Sequence, residues 1–464
     1  MLNRRNTLLA NSLSSSKPIN IDNYLTIEAL EDGLTAKLST NACEYCIDGN
    51  GVWKTLSANT TTPSINQGQV ISFRGNLTPS NYMGMGTFTI SKKCNLKGNC
   101  MSMLFGDDAE NNYSLSGKDY AFYRLFYNCY YIIEVSPNFL PATTLADYCY
   151  SNMFQGCTSI TTAPELPATT LANYCYTYMF NNCTSLTTTP DLHATTLAND
   201  CYAYMFQGCT SITTAPELPA TTLAISCYSS MFSNTNVLPD CSNIDFSSNS
   251  VVSSGGLSGL FSNTKVTDDD LKNILPINPI TGNYYLPVTT LTNGCYSQMF
   301  KGCTSLTTAP ELPATTLANS CYYGMFSNCK SLTTAPELPA TTLANSCYHT
   351  MFKDCTSLTT ASELPATTLA TYCYDSMFRN CTSLTTVPEL PATTLTFYCY
   401  EYMFYGCKKL NYIKAMFTTK PSSTYTNSWV YGVSSTGTFV KNKNATWNVT
   451  GDNGIPSGWT VQTA

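Results

Sequence analysis

The sequence predicts a repeat solenoid: stacked 26-residue coils, each a short helix plus short strands, with a small β-rich unit before the stack and another after it. Three observations carry this. The block LPATTLADYCYSNMFQGCTSITTAPE opens at Leu140 and returns at Leu166, Leu192, Leu218, Leu286, Leu312, Leu338, Leu364 and Leu390. A fixed period in the range of about 20–50 residues marks stacked supersecondary units rather than a closed globule. Charged residues make up only 11 % of the 464, against roughly 25 % in an ordinary soluble domain. Thr, Ser, Asn and Tyr take their place, giving a neutral, hydroxyl-rich surface. The repeat is absent from both ends, where short alternating stretches stand instead.

The N-terminal arm, residues 1–19, has two arginines but neither the apolar core nor the cleavage site of a secretory signal. Over residues 20–103, the stretches YLTIEAL, LTAKLS, EYCIDG, VWKTLS, QVISFRG and GTFTISKK read as strands between turn signals such as Asp48-Gly49. Their spacing predicts a small Ig-like β-sandwich. Cys43 and Cys46 form a C-x-x-C, with Cys94 and Cys100 further on, but the flanks are strand-like. Structural thiols are expected over a zinc site, with Cys94 and Cys100 facing each other across a hairpin turn.

Residues 104–410 are the solenoid. Within one block, Cys149, Tyr150, Met153, Phe154 and Cys157 fall at i, i+1, i+4, i+5 and i+8, the apolar stripe of a short amphipathic helix. Gly156 and its equivalents Asn182, Gly208, Gly302 and Asn328 then sit where a left-handed C-cap belongs. TSITTAP and LPATTLA read as short strands that send Ile160, Leu140 and Leu145 inward. Seventeen of the 23 cysteines fill eighteen equivalent slots, and Thr235 takes the last one. A bridged pair would not lose one partner so readily, so the thiols are expected buried and reduced, acting as small hydrophobes. Counting the variant units at Leu125–Cys129 and Leu260–Thr264 gives eleven coils, roughly 50 Å of stack at strand spacing.

The rhythm breaks at 233–285, with SSNSVVSSGG and the acidic TDDDLKNIL. This reads as an insertion tolerated on one face, the alternative being a functional protrusion. Residues 411–464 hold Trp429, Trp447 and Trp459 and read as a β-rich C-terminal cap over the last coil, and as a candidate surface for homo-oligomer formation.

The unit M-F-x-x-C-T-S-L-T-T-A-P-E-L-P-A-T-T-L-A resembles the BspA-type leucine-rich repeats of surface proteins from gut Bacteroidales and of phages that infect them. The opening NRRNTLLA and the closing GTFVKN and PSGWTVQ look like phage and prophage proteins on the same plan. The resemblance implies a leucine-rich-repeat-like solenoid and a non-enzymatic adhesion or receptor-binding protein: a tail or head fibre, or a decoration, of the virion. The partners implied are a host cell-surface component or polysaccharide, and other virion proteins. A purely structural virion component and a bacterial cell-surface adhesin are the alternatives.

No enzyme signature stands out. His193 and His349 are the only histidines, and Gly-rich phosphate loops and G-x-S-x-G are lacking. No cofactor or metal is expected. Net charge is −6 without a basic stripe, which speaks against nucleic acid. No run of about 18 apolar residues is present, so no membrane insertion is expected. Acidic residues recur at Glu165, Asp191, Glu217, Glu311, Glu337, Glu363 and Glu389, but one carboxylate per coil is a thin supply for calcium. The Thr pairs, such as Thr143 and Thr144, form a uniform ladder explained by β-structure.

Variation among copies gathers instead on the face opposite the Cys/Met/Phe stripe, and tyrosine is frequent there. The ligand-binding candidates are Tyr174, Tyr178, Tyr204, Tyr323, His349, Tyr372, Tyr398, Tyr402 and Tyr405, with the C-terminal coils favoured. Tyr offers large contact area at low entropic cost; drift on an unconstrained solvent face is the competing explanation.

Overall fold

The computed structural model describes residues 17–79, 84–213, 215–220, 222–236 and 253–464. The N-terminal region forms β1 (Leu25–Ala29), β2 (Ala36–Leu38), β3 (Cys43–Ile47), β4 (Lys54–Leu56), β5 (Val70–Arg74), β6 (Phe88–Ile90) and β7 (Cys94–Lys97). A single helical turn, α1 (Ser102–Phe105), follows, and β8 (Ile132–Val135) lies inside the first coil. One sheet has the order β4-β3-β5-β1-β7-β8, and β2 pairs with β6 in a second. Asp48 and Gly49 both take positive φ at the β3 turn, as a tight hairpin requires. Cys94 and Cys100 do not flank a hairpin turn: Cys94–Lys97 is the strand β7, antiparallel to β1 and parallel to β8. The β7–β8 pair ties this sheet to the solenoid, and Phe73, Phe88, Phe126 and Phe154 run on as one aromatic column.

The coils depart from expectation in one respect. The segment holding Cys149–Cys157 is not a helix but a run of consecutive tight turns. Tyr148, Asn152 and Gly156 have φ of 57°, 57° and 74°, so every fourth residue is left-handed. That breaks the i→i−4 ladder before it can form. The backbone bonds then alternate. The N–H groups of Cys149, Ser151, Met153, Gln155 and Cys157 donate three residues back, to Ala146, Tyr148, Tyr150, Asn152 and Phe154. The N–H groups of Tyr148, Tyr150, Asn152, Phe154 and Gly156 donate to carbonyls of the next coil, at Asn173, Cys175, Thr177, Met179 and Asn181. Each turn residue is thus satisfied within its coil or across to the next, as a buried backbone must be.

The expected strands shrink to single parallel bridges, Thr144 to Thr170 and Thr162 to Thr188 among them. Pro141, Pro164 and Pro167 flank these threonines, and proline cannot donate to a ladder.

The apolar stripe holds despite the change of backbone. Cys149, Tyr150, Met153, Phe154, Cys157 and Ile160 are all fully buried. Side chains meet their own kind in the next coil: Phe154 stacks on Phe180 at 5.6 Å and Tyr150 on Tyr176 at 5.8 Å. All described cysteines are free and buried. The second cysteine of each coil is more than a hydrophobe. Cys183 Sγ donates to Phe154 O of the preceding coil at 3.1 Å, and Cys209 Sγ to Phe180 O at 3.0 Å. At Thr235 the hydroxyl donates to Phe232 O instead, at 2.8 Å, and Thr264 does the same to Phe261 O.

Within 233–285, residues 237–252 lie outside the described residues. Residues 253–264 form a regular coil: Ser226, Tyr228 and Ser230 donate to Ser254, Gly256 and Ser258, and Phe261 stacks on Phe300. The acidic run becomes α2 (Asp268–Ile274), opened by a reciprocal capping box between Thr267 and Asp270. Asp268 accepts from the N–H groups of Thr307 and Thr308, and Leu271 is buried, so the helix is pinned onto the coil wall.

The C-terminal residues carry the coil progression onward. β9 (Tyr412–Ala415), β10 (Thr438–Lys441) and β11 (Thr460–Thr463) form a parallel sheet in the order β11-β10-β9, and Tyr412 bridges back to Thr386. Tyr400, Tyr402, Phe404 and Gly406 donate to Tyr425, Asn427, Trp429 and Tyr431 in the same alternating pattern. Trp429 is fully buried and its Nε1 donates to Gly454 O at 2.9 Å.

Candidate functional site

The alternating turns project three columns of side chains along the outer face. Left-handed residues make the outer two. One contains Tyr120, Tyr148, Tyr174 and Asp200; the other contains Asn152, Tyr178 and Tyr204. Between them runs a central column of Tyr123, Ser151, Thr177 and Ala203. Because its members after Tyr123 are small, a trough of about 340 Å³ opens between the two walls. Tyr123, edge-on to Tyr120 at 5.7 Å, stands at one end. At the other end the lining stops at Asp200, Ala203 and Tyr204.

The walls are stacked tyrosines. Tyr120 lies on Tyr148 at 4.6 Å, Tyr148 on Tyr174 at 4.5 Å, and Tyr178 on Tyr204 at 4.5 Å, with ring planes within 5° of parallel. Ring faces cover one another, so each wall presents ring edges and hydroxyls. Burial, then the neighbouring phenols, pushes Tyr148 up to about 12. Burial, then Tyr204, does the same to Tyr178. Asp200 first and then burial raise Tyr174. These phenols are neutral hydrogen-bonding groups at physiological pH. Asp200 is itself raised by burial, with the Tyr174 hydroxyl beside it working the other way.

The candidates therefore fall into separate groups. Tyr174, Tyr178 and Tyr204 converge on the trough, joined there by Tyr120, Tyr123, Tyr148 and Asp200. In the C-terminal coils the central column is filled. Tyr323, His349, Asp375, Glu401 and Asn427 follow one another at the coil period, where Ser151, Thr177 and Ala203 leave space. His349 Nε2 is 3.4 Å from Asp375 Oδ2, Ser376 Oγ donates to Asp375 at 2.7 Å, and Asn427 donates to Glu401 at 2.9 Å and to Tyr402 Oη at 3.0 Å. Tyr372 stacks on Tyr398 at 4.9 Å beside this ladder. Tyr402 and Tyr405 pack edge-on at 5.9 Å, with the Arg379 guanidinium over both rings. This half of the face is a filled, polar wall.

Among the described residues, no group of three or more His, Cys, Asp or Glu is placed to hold a metal ion. Burial pushes the Cys43 thiol up to about 12 and raises Cys94 and Cys100 further, away from the thiolate a metal needs. Glu311 is engaged by Asn278 at 2.7 Å and Asn283 at 3.0 Å, and Glu389 by Lys414 at 2.7 Å. Two members of the acidic series are thus structural contacts. Among the described residues, no helix is long and apolar enough to cross a membrane.

Stacked coils of this kind, with a small-residue trough cut into one face, define a repeat protein that offers an extended surface. Residues 124–255 and 292–411, more than half of the chain, match the BspA type leucine rich repeat region in six copies, and the chain belongs to that family. Membership suggests a protein of the surface or adhesion type, in a family that is typically non-enzymatic. No curated protein and no solved structure matches it.

Proposed function

We propose that the chain is a non-enzymatic adhesion protein of a phage particle, and that its solenoid binds a polysaccharide or related component of the host envelope. The observation that carries this reading is the axial trough walled by Tyr148, Tyr174, Tyr178 and Tyr204. Its lining carries hydroxyls that recur at the coil spacing, as a ligand with repeating polar groups requires. Residues 20–103 and 411–464, as an Ig-like sandwich and a cap, close the two ends of the stack in this reading; most of the N-terminal arm, residues 1–16, lies outside the described residues.

Fluorescently labelled protein incubated with gut Bacteroidales strains, including capsule-switched variants, tests the proposal. Strain-selective binding that blocks phage adsorption and falls at least tenfold in the Tyr178→Ala/Tyr204→Ala double variant is expected. Uniform absence of binding refutes it. That result would favour a structural virion component, a reading supported by the filled wall at Tyr323, His349, Asp375 and Glu401.

A further inference from the structure

The trough carries a second piece of chemistry. Asp200 stands at the end of the wall formed by Tyr120, Tyr148 and Tyr174, within the trough lining. Its carboxylate is partly desolvated, with the Tyr174 hydroxyl beside it. Among the described residues no Lys or Arg lines the trough. A desolvated carboxylate without a cation is an unfavourable arrangement that a bound cation relieves.

The shape of the walls selects which cation. A quaternary ammonium is held by the open faces of aromatic rings. Here the rings of each wall stack with their faces along the column, Tyr148 between Tyr120 and Tyr174 and Tyr178 against Tyr204, so ring edges rather than faces turn toward the trough. What remains on offer is a carboxylate and a series of phenolic oxygens, all able to accept hydrogen bonds. A primary ammonium has three donors to spend on such acceptors. We infer that the trough takes a sugar unit bearing a free primary amine, with the ammonium on Asp200 and the rest of the saccharide along the Tyr178–Tyr204 wall. This inference rests on the polysaccharide reading and narrows it to an amino sugar that is not acetylated.

The probes are a β-1,4-linked glucosamine oligomer, its fully N-acetylated counterpart and the neutral glucose oligomer, each titrated calorimetrically at about pH 6, where the amine is charged. The glucosamine oligomer is expected to bind at least tenfold more tightly than either of the others, and Asp200→Asn is expected to erase that preference. Asn suits the test because Asp200 has φ of 53°, a conformation Asn adopts readily and already holds at Asn152 and Asn182. Unchanged thermal unfolding of Asp200→Asn confirms the variant is folded. Equal binding of the amine and acetylated oligomers, or a preference that survives in Asp200→Asn, overturns the amine inference. If strain-selective cell binding still requires Tyr178 and Tyr204, the adhesion reading stands without it. If no oligomer binds and cell adhesion is indifferent to the trough, both fail.

Discussion

The cysteine slot shows what a single residue does in this repeat. Its thiol links adjacent coils by donating to a phenylalanine carbonyl that already accepts the in-coil N–H: Phe154 O takes both Cys157 N–H and Cys183 Sγ. The slot therefore selects a small side chain with a donor, which is why threonine can stand at 235 and 264. Cys183→Ser is expected to keep stability within about 0.5 kcal/mol, whereas Cys183→Ala loses about 1 kcal/mol from the missing donor and the lost volume. Urea denaturation distinguishes them, and equal losses would show that packing alone sets the slot.

His349 and Asp375 make a second argument at this scale. Burial first, then Lys353, lowers His349 to about 4; burial first, then Glu401 against Ser376, Arg379 and Lys353, raises Asp375 to about 7. Unfolded values are about 6.5 and 3.9. The folded and unfolded pair therefore bind nearly the same number of protons throughout, and their pH dependences cancel. Removing one member unmasks the other. In Asp375→Asn the lowered His349 remains, and stability should fall as pH drops from about 6.5 to about 4. In His349→Gln the raised Asp375 remains, and stability should fall as pH rises from about 4 to about 7. Parallel slopes in the two variants would refute the cancellation.

At the scale of the element, the turn run explains both what was legible in the sequence and what was not. Positions 149, 150, 153, 154 and 157 suit a helix of 3.6 residues per turn and a run of turns with period four equally well over nine residues. The buried set was readable for that reason, and the backbone was not. The separating signal lay at 148, 152 and 156, where copies alternate among Gly, Asn, Asp, Ser, Tyr, Gln and Thr. Gly and Asn tolerate left-handed φ, whereas tyrosine there gave no hint of it. Tyr174, Tyr178 and Tyr204 were legible as a variable aromatic face. The trough was not, since it depends on Ser151, Thr177 and Ala203 being small in register between two walls.

The same backbone sets a contrast between two glycine substitutions. Ser346 has φ of 54° in the column that holds Gly294, so Ser346→Gly should stabilise the chain by up to about 1 kcal/mol. Tyr174→Gly relieves similar strain but removes the stack on Tyr148, worth about 0.5–1.5 kcal/mol beyond its area. It should be neutral or destabilising in the same denaturation assay. Gly208→Ala tests the opposite case: φ is 75° and an added Cβ would collide with Asn182 Oδ1, so a clear loss is expected.

At the scale of the molecule, the phenylalanine column runs from Phe88 in the N-terminal sheet to Phe232, and a second run from Phe261 reaches Phe404, Trp429 and Phe439 near the C-terminus. Each coil contacts only its neighbours, so stability is a sum of coil terms and interfaces, and an internal coil is dispensable while a terminal interface is not. Deleting residues 312–337 removes one whole period and lets Leu338 take the place of Leu312 against the preceding coil. That variant should fold, stay monodisperse by size-exclusion chromatography, and unfold cooperatively with a smaller denaturant dependence, because less surface is exposed on unfolding. Deleting residues 411–464 strips Trp429 from Tyr400 and Phe404, which it meets at 6.1 and 5.9 Å, and leaves the turn N–H groups of Tyr400, Tyr402, Phe404 and Gly406 without acceptors. An apolar coil end with unpaired backbone donors is a template for association with another chain. The truncated protein should therefore self-associate, and Phe404→Glu in the truncated background should reduce that association. A monomeric truncation with full cooperativity would show instead that the last regular coil closes the stack unaided.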